Sequence, residues 1–369
     1  MIINLKSPTD FSGFYIIYEG STNIEKPGWY GISHLLEHLV CKSFDDLRDD
    51  FDREGIDWNA YTSSNEIVFY FTGLEENLSK YRTILVDRMS EFNITKKQFE
   101  NERQIILEEY SDTFNDQTNS HMLNLSRKLF GDYDAIGLRY DLENLKFMDC
   151  IKFFELQYMN PSKIINVSSK KKFKHDGVTF SDLKIDKKIE YGNHDVPLEL
   201  NNDFKDKTSI SIISPVIDED FSYIKIINEM IGGGLQSPLY NEVREKKGLV
   251  YYIHCYLTRA NKQGISFIST QTSNKNVEQV VDSVKRIIDN PNKYLLKERF
   301  DNIKESHIIQ KKKDKINRYM SVRKWIDPKE FSISDIIEDV TFTKIRDVYD
   351  KYYKFDKFYV SNDKTEFKK

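Results

Sequence analysis

Gly31-Ile-Ser-His34-Leu-Leu-Glu37-His38-Leu-Val40 is the stretch on which the reading of this chain turns. Ile32, Leu35, Leu36, Leu39 and Val40 recur at helical spacing, which predicts a helix from Ile32 to about Phe51, with Gly55 ending the region. His34 and His38 are four apart, so a helix carries both imidazoles on one face, one above the other. Two neutral imidazoles at that spacing can share one zinc ion. Glu37, three after His34, stands beside such an ion. A carboxylate there can take a proton from water and pass it to a leaving amine. The order, HxxEH, inverts the commoner HExxH.

Zinc needs a third protein ligand and an open fourth position. Thr95 and Gln98 have the spacing of a capping box and open a helix that runs to about Phe114. That helix offers Glu102, Glu108 and Glu109. Glu102 and Glu109 share a face, and Glu108 is turned about 100° away. Spacing alone leaves the choice among the three open. His121, His175, His194, His254 and His307 have no ligand-spaced partner and read as structural or surface residues.

Residues 14–18 (FYIIY) read as a buried strand and Gly28 to Gly31 as a turn. Trp58 to Thr72, rich in aromatic and β-branched residues, favours strand. Leu74 to about Met89 reads as helix, as do the residues up to Phe130 and then 142–157, which Asn160-Pro161 stops; Lys163 to Val167 is a strand. Residues 168–200 turn polar, and the basic run Lys170 to Lys174 reads as a solvated linker. The second half shows strand at 210–213, helix at 221–231, and a short helix at 239–246. Strands follow at 249–257 and 264–270, helices near 276–289, 296–318 and 343–353, and a last strand at 357–360. Each half thus runs strand, helix, strands, helices, strand, an order that suggests duplication. The expected fold is α+β, with two similar tandem domains, 1–180 and 190–369, joined by a linker at 170–195. Gly232 to Gly234 lacks the Lys-Ser/Thr of a phosphate loop and reads as a helix C-cap and tight turn. Lys311 to Lys313 reads as a solvated helix face.

The chain has 369 residues, too many for one typical core and comfortable for two. With 39 % apolar and 13 % aromatic residues it can bury real cores. Its net charge of −4 gives no electrostatic case for nucleic acid or an anionic membrane as partner. Cys41, Cys150 and Cys255 are odd in number and form no CxxC pair, which fits a reducing compartment. No stretch reads as a signal peptide or membrane span, so the expectation is a cytoplasmic protein.

GISHLLEHL, EGIDWNAYTSSNEIVFYF, NERQIILEEY and GGGLQSPLYNEVREKKGLVYYIHCY, in that order, resemble the pitrilysin family of zinc peptidases. That family includes insulin-degrading enzyme and the mitochondrial processing peptidase. The resemblance covers most of the chain. It implies one zinc per chain, held by His34, His38 and Glu109, with Glu102 supporting the site from behind and Glu37 as the base. It implies a half clamshell of two domains, each a mostly antiparallel sheet packed with helices. Asn59, Ala60, Tyr61 and Thr62 resemble the family's edge strand beside the zinc, to which substrate adds by backbone pairing. Arg244 and Tyr251 match an Arg-x6-Tyr pair that holds the substrate carbonyl and the oxyanion. Full-length relatives enclose their zinc in a chamber of four domains. A two-domain chain therefore implies a dimer, with Arg244 and Tyr251 reaching the partner's zinc. Both motifs lie in one chain, which favours a homodimer over a heterodimer. The expected activity is a zinc metalloendopeptidase cleaving peptides or unfolded protein segments; the alternative is a non-catalytic scaffold or assembly subunit of the same fold. His38 and Glu109 are 71 positions apart, a few fewer than in the family, the loss falling between His38 and Asn59, around Cys41.

Overall fold

The structure, a computed structural model, describes residues 1–131, 134–170, 172–183, 206–260, 263–314, 333–363 and 365–368. The sequence readings for residues 184–195 of the linker, for His194 and for the end of the 296–318 helix fall outside these. Among the described residues the chain forms two units. One comprises 1–112 and the described part of 134–183. The other comprises 113–131 and the described parts of 206–314 and 333–368.

The first unit is built on five strands: β1 (Ile2–Lys6), β2 (Phe11–Glu19), β3 (Asp57–Thr62), β4 (Glu66–Leu74) and β5 (Lys163–Ser168). Their order is β1-β5-β2-β4-β3, with β1 parallel to β5 and the remaining pairs antiparallel. Seven consecutive residues of β2 are buried, as a central strand covered on both faces requires. The predicted strand from Trp58 to Thr72 is a hairpin, β3 and β4, closed where the Ser63 N–H donates to the Glu66 carbonyl at 2.9 Å. β3 lies at the sheet edge.

Seven helices belong to this sheet in whole or main part: α1 (Ile32–Lys42), α2 (Arg48–Glu54), α3 (Glu75–Leu78), α4 (Arg82–Met89), α5 (Lys96–Asn115) and, beyond α6 below, α7 (Arg139–Asn144) and α8 (Phe147–Gln157). The helix expected from Ile32 to Phe51 is interrupted. α1 stops at Lys42, where Ser43 turns its hydroxyl back to the Val40 carbonyl at 2.6 Å. Phe44 then drives into a ring cluster with Trp58, Phe71, Phe51 and Tyr81, centroids 5.1–6.4 Å apart. Gly55 ends α2 in the left-handed conformation, φ 64°, that glycine alone adopts freely. The predicted 74–89 helix splits into α3 and α4, tied by a buried bidentate pair in which Arg82 donates to Glu75 at 3.0 and 2.6 Å.

The second unit carries β6 (Lys207–Ile217), β7 (Ile253–Ala260), β8 (Gln263–Ser273), β9 (Tyr359–Asn362) and β10 (Thr365–Lys368) in the order β10-β9-β6-β8-β7. The series β9-β6-β8-β7 repeats β5-β2-β4-β3. The duplication seen in element order therefore extends to sheet topology. The fifth strands differ: β1 runs parallel to its neighbour, whereas β10 folds back on β9 as an antiparallel hairpin. α9 (Phe221–Gly232), α10 (Val277–Ile288), α11 (Pro291–Tyr294), α12 (Lys297–Asp314), α13 (Ile333–Ile336) and α14 (Phe342–Tyr352) complete it. The fold is α+β, with mixed helices and mostly antiparallel sheets.

One helix departs from a division of the chain near 170–195. α6 (Gln117–Phe130) belongs with the second sheet. Its Leu125, Leu129 and Phe130 pack against Ile213, Ile265 and Phe267, and Gln117 donates to the Lys207 carbonyl at 2.9 Å. Gly232 to Gly234 closes α9, with a packing reason for the first glycine: a Cβ there would lie 2.4 Å from the Cys255 sulfur. No helix among the described residues is long and apolar enough to cross a membrane.

Candidate metal centre

The placement of α1 begins in the loop before it. Glu25 accepts the N–H groups of Gly31 and Ser33, both at 2.9 Å, and so supplies the orphan donors at the helix start with a carboxylate. Asp141 Oδ2 accepts the N–H groups of Gly28 and Tyr30 in the preceding loop at 2.8 and 3.0 Å. Gly31 (φ 98°) lies against Gly137 so closely that a Cβ on Gly137 would be 2.4 Å from the Gly31 backbone. Ile32, Leu35, Leu36 and Leu39 are fully buried. From Gly31 to Val40, His34 and His38 are the only positions not buried.

α5 brings the acid. Its N-terminus has the expected capping box: Gln98 N–H donates to the Thr95 hydroxyl at 3.2 Å, and Thr95 N–H donates to the Gln98 side chain at 2.9 Å. Of the three candidate glutamates, Glu109 faces the histidines, and Glu108 is exposed. Glu109 Oε2 is 3.8 Å from His34 Nε2, and Oε1 is 3.8 Å from His38 Nε2. Such separations are too long for hydrogen bonds. They are close to the roughly 3.4 Å between ligand atoms around a tetrahedral zinc with bonds near 2.0–2.1 Å. Ligand atoms of His34, His38 and Glu109 all lie within 4.8 Å of one another. Burial first, and the neighbouring His38 second, push the His34 imidazole down to about 4, so it is neutral and able to donate a lone pair at physiological pH. Geometry and charge state thus fit zinc.

Glu102, about two turns back on α5, is buried. Its Oε2 stands 3.4 Å from His38 Nδ1 and its Oε1 stands 3.2 Å from Lys42 Nζ. Glu37 is also buried, at 8 % exposure. Burial raises its carboxyl above the ordinary range, and a hydrogen bond from Thr62 opposes the rise. The Thr62 hydroxyl donates to Glu37 Oε2 at 2.7 Å. Sequence reading placed Thr62 on the substrate strand but not on the base. Asn59, Ala60 and Tyr61 lie with it on edge strand β3. The Asn59 side chain accepts the Ala60 N–H at 2.8 Å. Cys41 takes no part in the cluster. Burial foremost, with the Glu37 carboxylate, pushes its thiol well above the usual range.

Arg244 and Tyr251 lie in the second unit. Arg244 sits on a π-helical turn, Tyr240–Glu245, an element that often marks functional positions. Its guanidinium rests 4.6 Å from the Tyr240 ring centre and 5.1 Å from that of Tyr251, which is 80 % exposed. The expected strand at 249–257 starts only at Ile253. Side chains from β8 take the preceding carbonyls instead: Thr272 donates to Leu249 O at 2.6 Å and Thr270 to Tyr252 O. Tyr252 turns away from Tyr251 and shares a hydrogen bond of 2.6 Å with Thr118.

Residues 3–135 match the family model described as Insulinase (Peptidase family M16), and residues 116–306 match the one described as Peptidase M16 inactive domain. The chain belongs to peptidase family M16. A Rickettsia bellii protein named "Uncharacterized zinc protease" is 25 % identical to this M16 chain over 303 residues, 74 % of this chain and 71 % of that protein. A Rickettsia felis protein of the same name is 24 % identical over 359 residues, 86 % of this chain and 83 % of that one. Among solved structures, "The crystal structure of a protease from Helicobacter pylori" aligns with a TM-score of 0.79 at 18 % identity, covering 98 % of this chain and 96 % of that chain. At that identity the likeness establishes the fold. The M16 chain is zinc-protease-like at the level of its family.

Proposed function

We propose that this chain is a zinc-dependent metalloendopeptidase acting on peptides or unfolded protein segments. The observation that carries the proposal is the convergence of His34, His38 and Glu109 beside a buried Glu37 that is held by Thr62. His34, His38 and Glu109 would hold the metal. When bound, zinc supplies a Lewis acid that polarises the scissile carbonyl and acidifies a water. Glu37 takes the proton of the attacking water. Thr62 occupies Oε2, which leaves Oε1 to receive that proton and hand it to the departing amine. Edge strand β3 aligns the substrate backbone, with Ala60 N–H exchanging Asn59 for a substrate carbonyl. Arg244 and Tyr251 hold substrate and oxyanion from a second copy of the chain in a homodimer. Cys41, Cys150 and Cys255 are all free of disulfides, which supports action in the cytoplasm.

Comparison of wild type with Glu37→Gln tests the proposal, reading zinc content and cleavage of a quenched peptide library. Equal zinc in both with cleavage only in wild type is the expected result. Equal zinc with no cleavage by either would overturn the enzyme and favour a scaffold of the same fold. Light scattering tests the dimer: a strict monomer with full activity would remove Arg244 and Tyr251 from their role in trans.

A further inference from the structure

Lys42 ends α1 and follows His38 by four, so it lies on the face that carries both histidines. Its ammonium stands 3.2 Å from Glu102 Oε1, while Glu102 Oε2 faces His38 Nδ1 at 3.4 Å. The Glu102 side chain is only 6 % exposed. A carboxylate so removed from water needs a partner on each oxygen to hold one orientation. Here each oxygen has its own, the cation on one side and the imidazole on the other. His34 lacks any such support: its Nδ1 is buried with no hydrogen-bond partner. The His34 ring instead packs edge-on against the His38 ring, centroids 4.8 Å apart.

We propose that Lys42 is a positioning residue of the metal centre, acting through Glu102 to orient His38. The proposal rests on the zinc reading of His34, His38 and Glu109. Lys42 pins Oε1, which leaves Oε2 aimed at His38 Nδ1. That contact keeps the Nδ1–H toward the carboxylate and the Nε2 lone pair toward the metal. Without the ammonium the carboxylate is free to swing toward solvent, and His38 loses the acceptor that fixes its ring.

The test measures zinc affinity by competition with a chromophoric chelator, on full-length wild type, Lys42→Met, Lys42→Gln, Glu102→Gln and the Lys42→Met/Glu102→Gln double variant. Visible spectra of the cobalt(II)-loaded proteins report ligand geometry, and circular dichroism with thermal melts controls for folding. Lys42→Met and Lys42→Gln are expected to weaken zinc binding about 10- to 100-fold and to alter the cobalt spectrum as Glu102→Gln does. In the Glu102→Gln background, Lys42→Met should add no further loss, because its route to the metal is already cut. Wild-type zinc affinity and cobalt spectrum in the Lys42 variants would overturn the proposal while leaving the zinc reading intact. Additive losses in the double variant would overturn the route through Glu102. A wild-type chain that binds no zinc would overturn both readings together.

Discussion

Thr62→Val isolates one hydroxyl at the centre of the proposed site. Valine keeps the shape and β-branching of threonine, so the pairing of Thr62 with Ile67 in the β3–β4 hairpin is unaffected. What disappears is the hydrogen bond of 2.7 Å to Glu37 Oε2. Glu37 is 8 % exposed, so water has little room to replace the lost donor. A hydrogen bond to a charged group contributes about 1.5–3 kcal/mol. If that orientation is needed in full as the proton moves, kcat falls about 10- to 150-fold. Zinc content should be unchanged, since Thr62 is outside the ligand cluster. KM should also hold, because strand pairing uses the backbone. Thr62→Ser keeps the donor and should retain most of the rate. The assay is steady-state cleavage of a quenched peptide by zinc-replete protein. A Thr62→Val enzyme within about two-fold of wild-type kcat would refute the role assigned to the hydroxyl. A loss confined to KM would return Thr62 to a purely substrate-binding part.

Arg82→Met leaves the buried Glu75 carboxylate without its bidentate partner and should destabilise the protein by about 3–5 kcal/mol in denaturant titration. The same pair sets a pH dependence. Burial works to raise the Glu75 carboxyl, but the Arg82 guanidinium and the Ser12 hydroxyl outweigh it and hold it below the ordinary value. Its stabilisation is therefore complete above the ordinary carboxylate range and is lost as pH falls through the lower folded value. Glu75→Gln should flatten the melting temperature across that acid window. Gly137→Ala combines a left-handed φ of 71° with a Cβ only 2.4 Å from the Gly31 backbone. It should cost more than the 1–2 kcal/mol or so of the conformation alone and lower zinc content by displacing the start of α1. Chelation of bound zinc should lower the melting temperature, by about 2.7 kcal/mol of lost stability where zinc had been at a hundred times its Kd. His34→Ala should abolish that response to chelator.

The α+β class and the duplicated order of elements held, and so did several local readings. The HxxEH face, the Thr95–Gln98 capping box and the stop at Gly55 each depend on residues within about one helical turn, where backbone periodicity dictates who meets whom. The choice of Glu109 over Glu108 came from the resemblance, since both acids satisfy helical spacing. In the structure, it is the rotation of α5 against α1 that turns Glu109 toward the histidines. The interrupted helix shows the limit of periodicity. The apolar pattern continues past Lys42, yet α1 ends there, with Phe44 in contact with Trp58 and Phe71 on β3 and β4. Likewise β7 starts late because Thr270 and Thr272 of its neighbour take the carbonyls before it.

The amino-acid sequence by itself determined a helix with two histidines on one face, a duplicated order of elements and the residue types of the proposed site. Tertiary structure alone decided that Thr62 serves Glu37, that Lys42 and His38 share Glu102, and that α6 covers the second sheet. The α6 packing and the contacts of Thr62 and Glu102 join residues dozens of positions apart. Long-range pairs of this kind are set by which apolar faces bury together. Lys42 follows His38 by a single turn, but only the arrival of α5 gives the two a carboxylate to share.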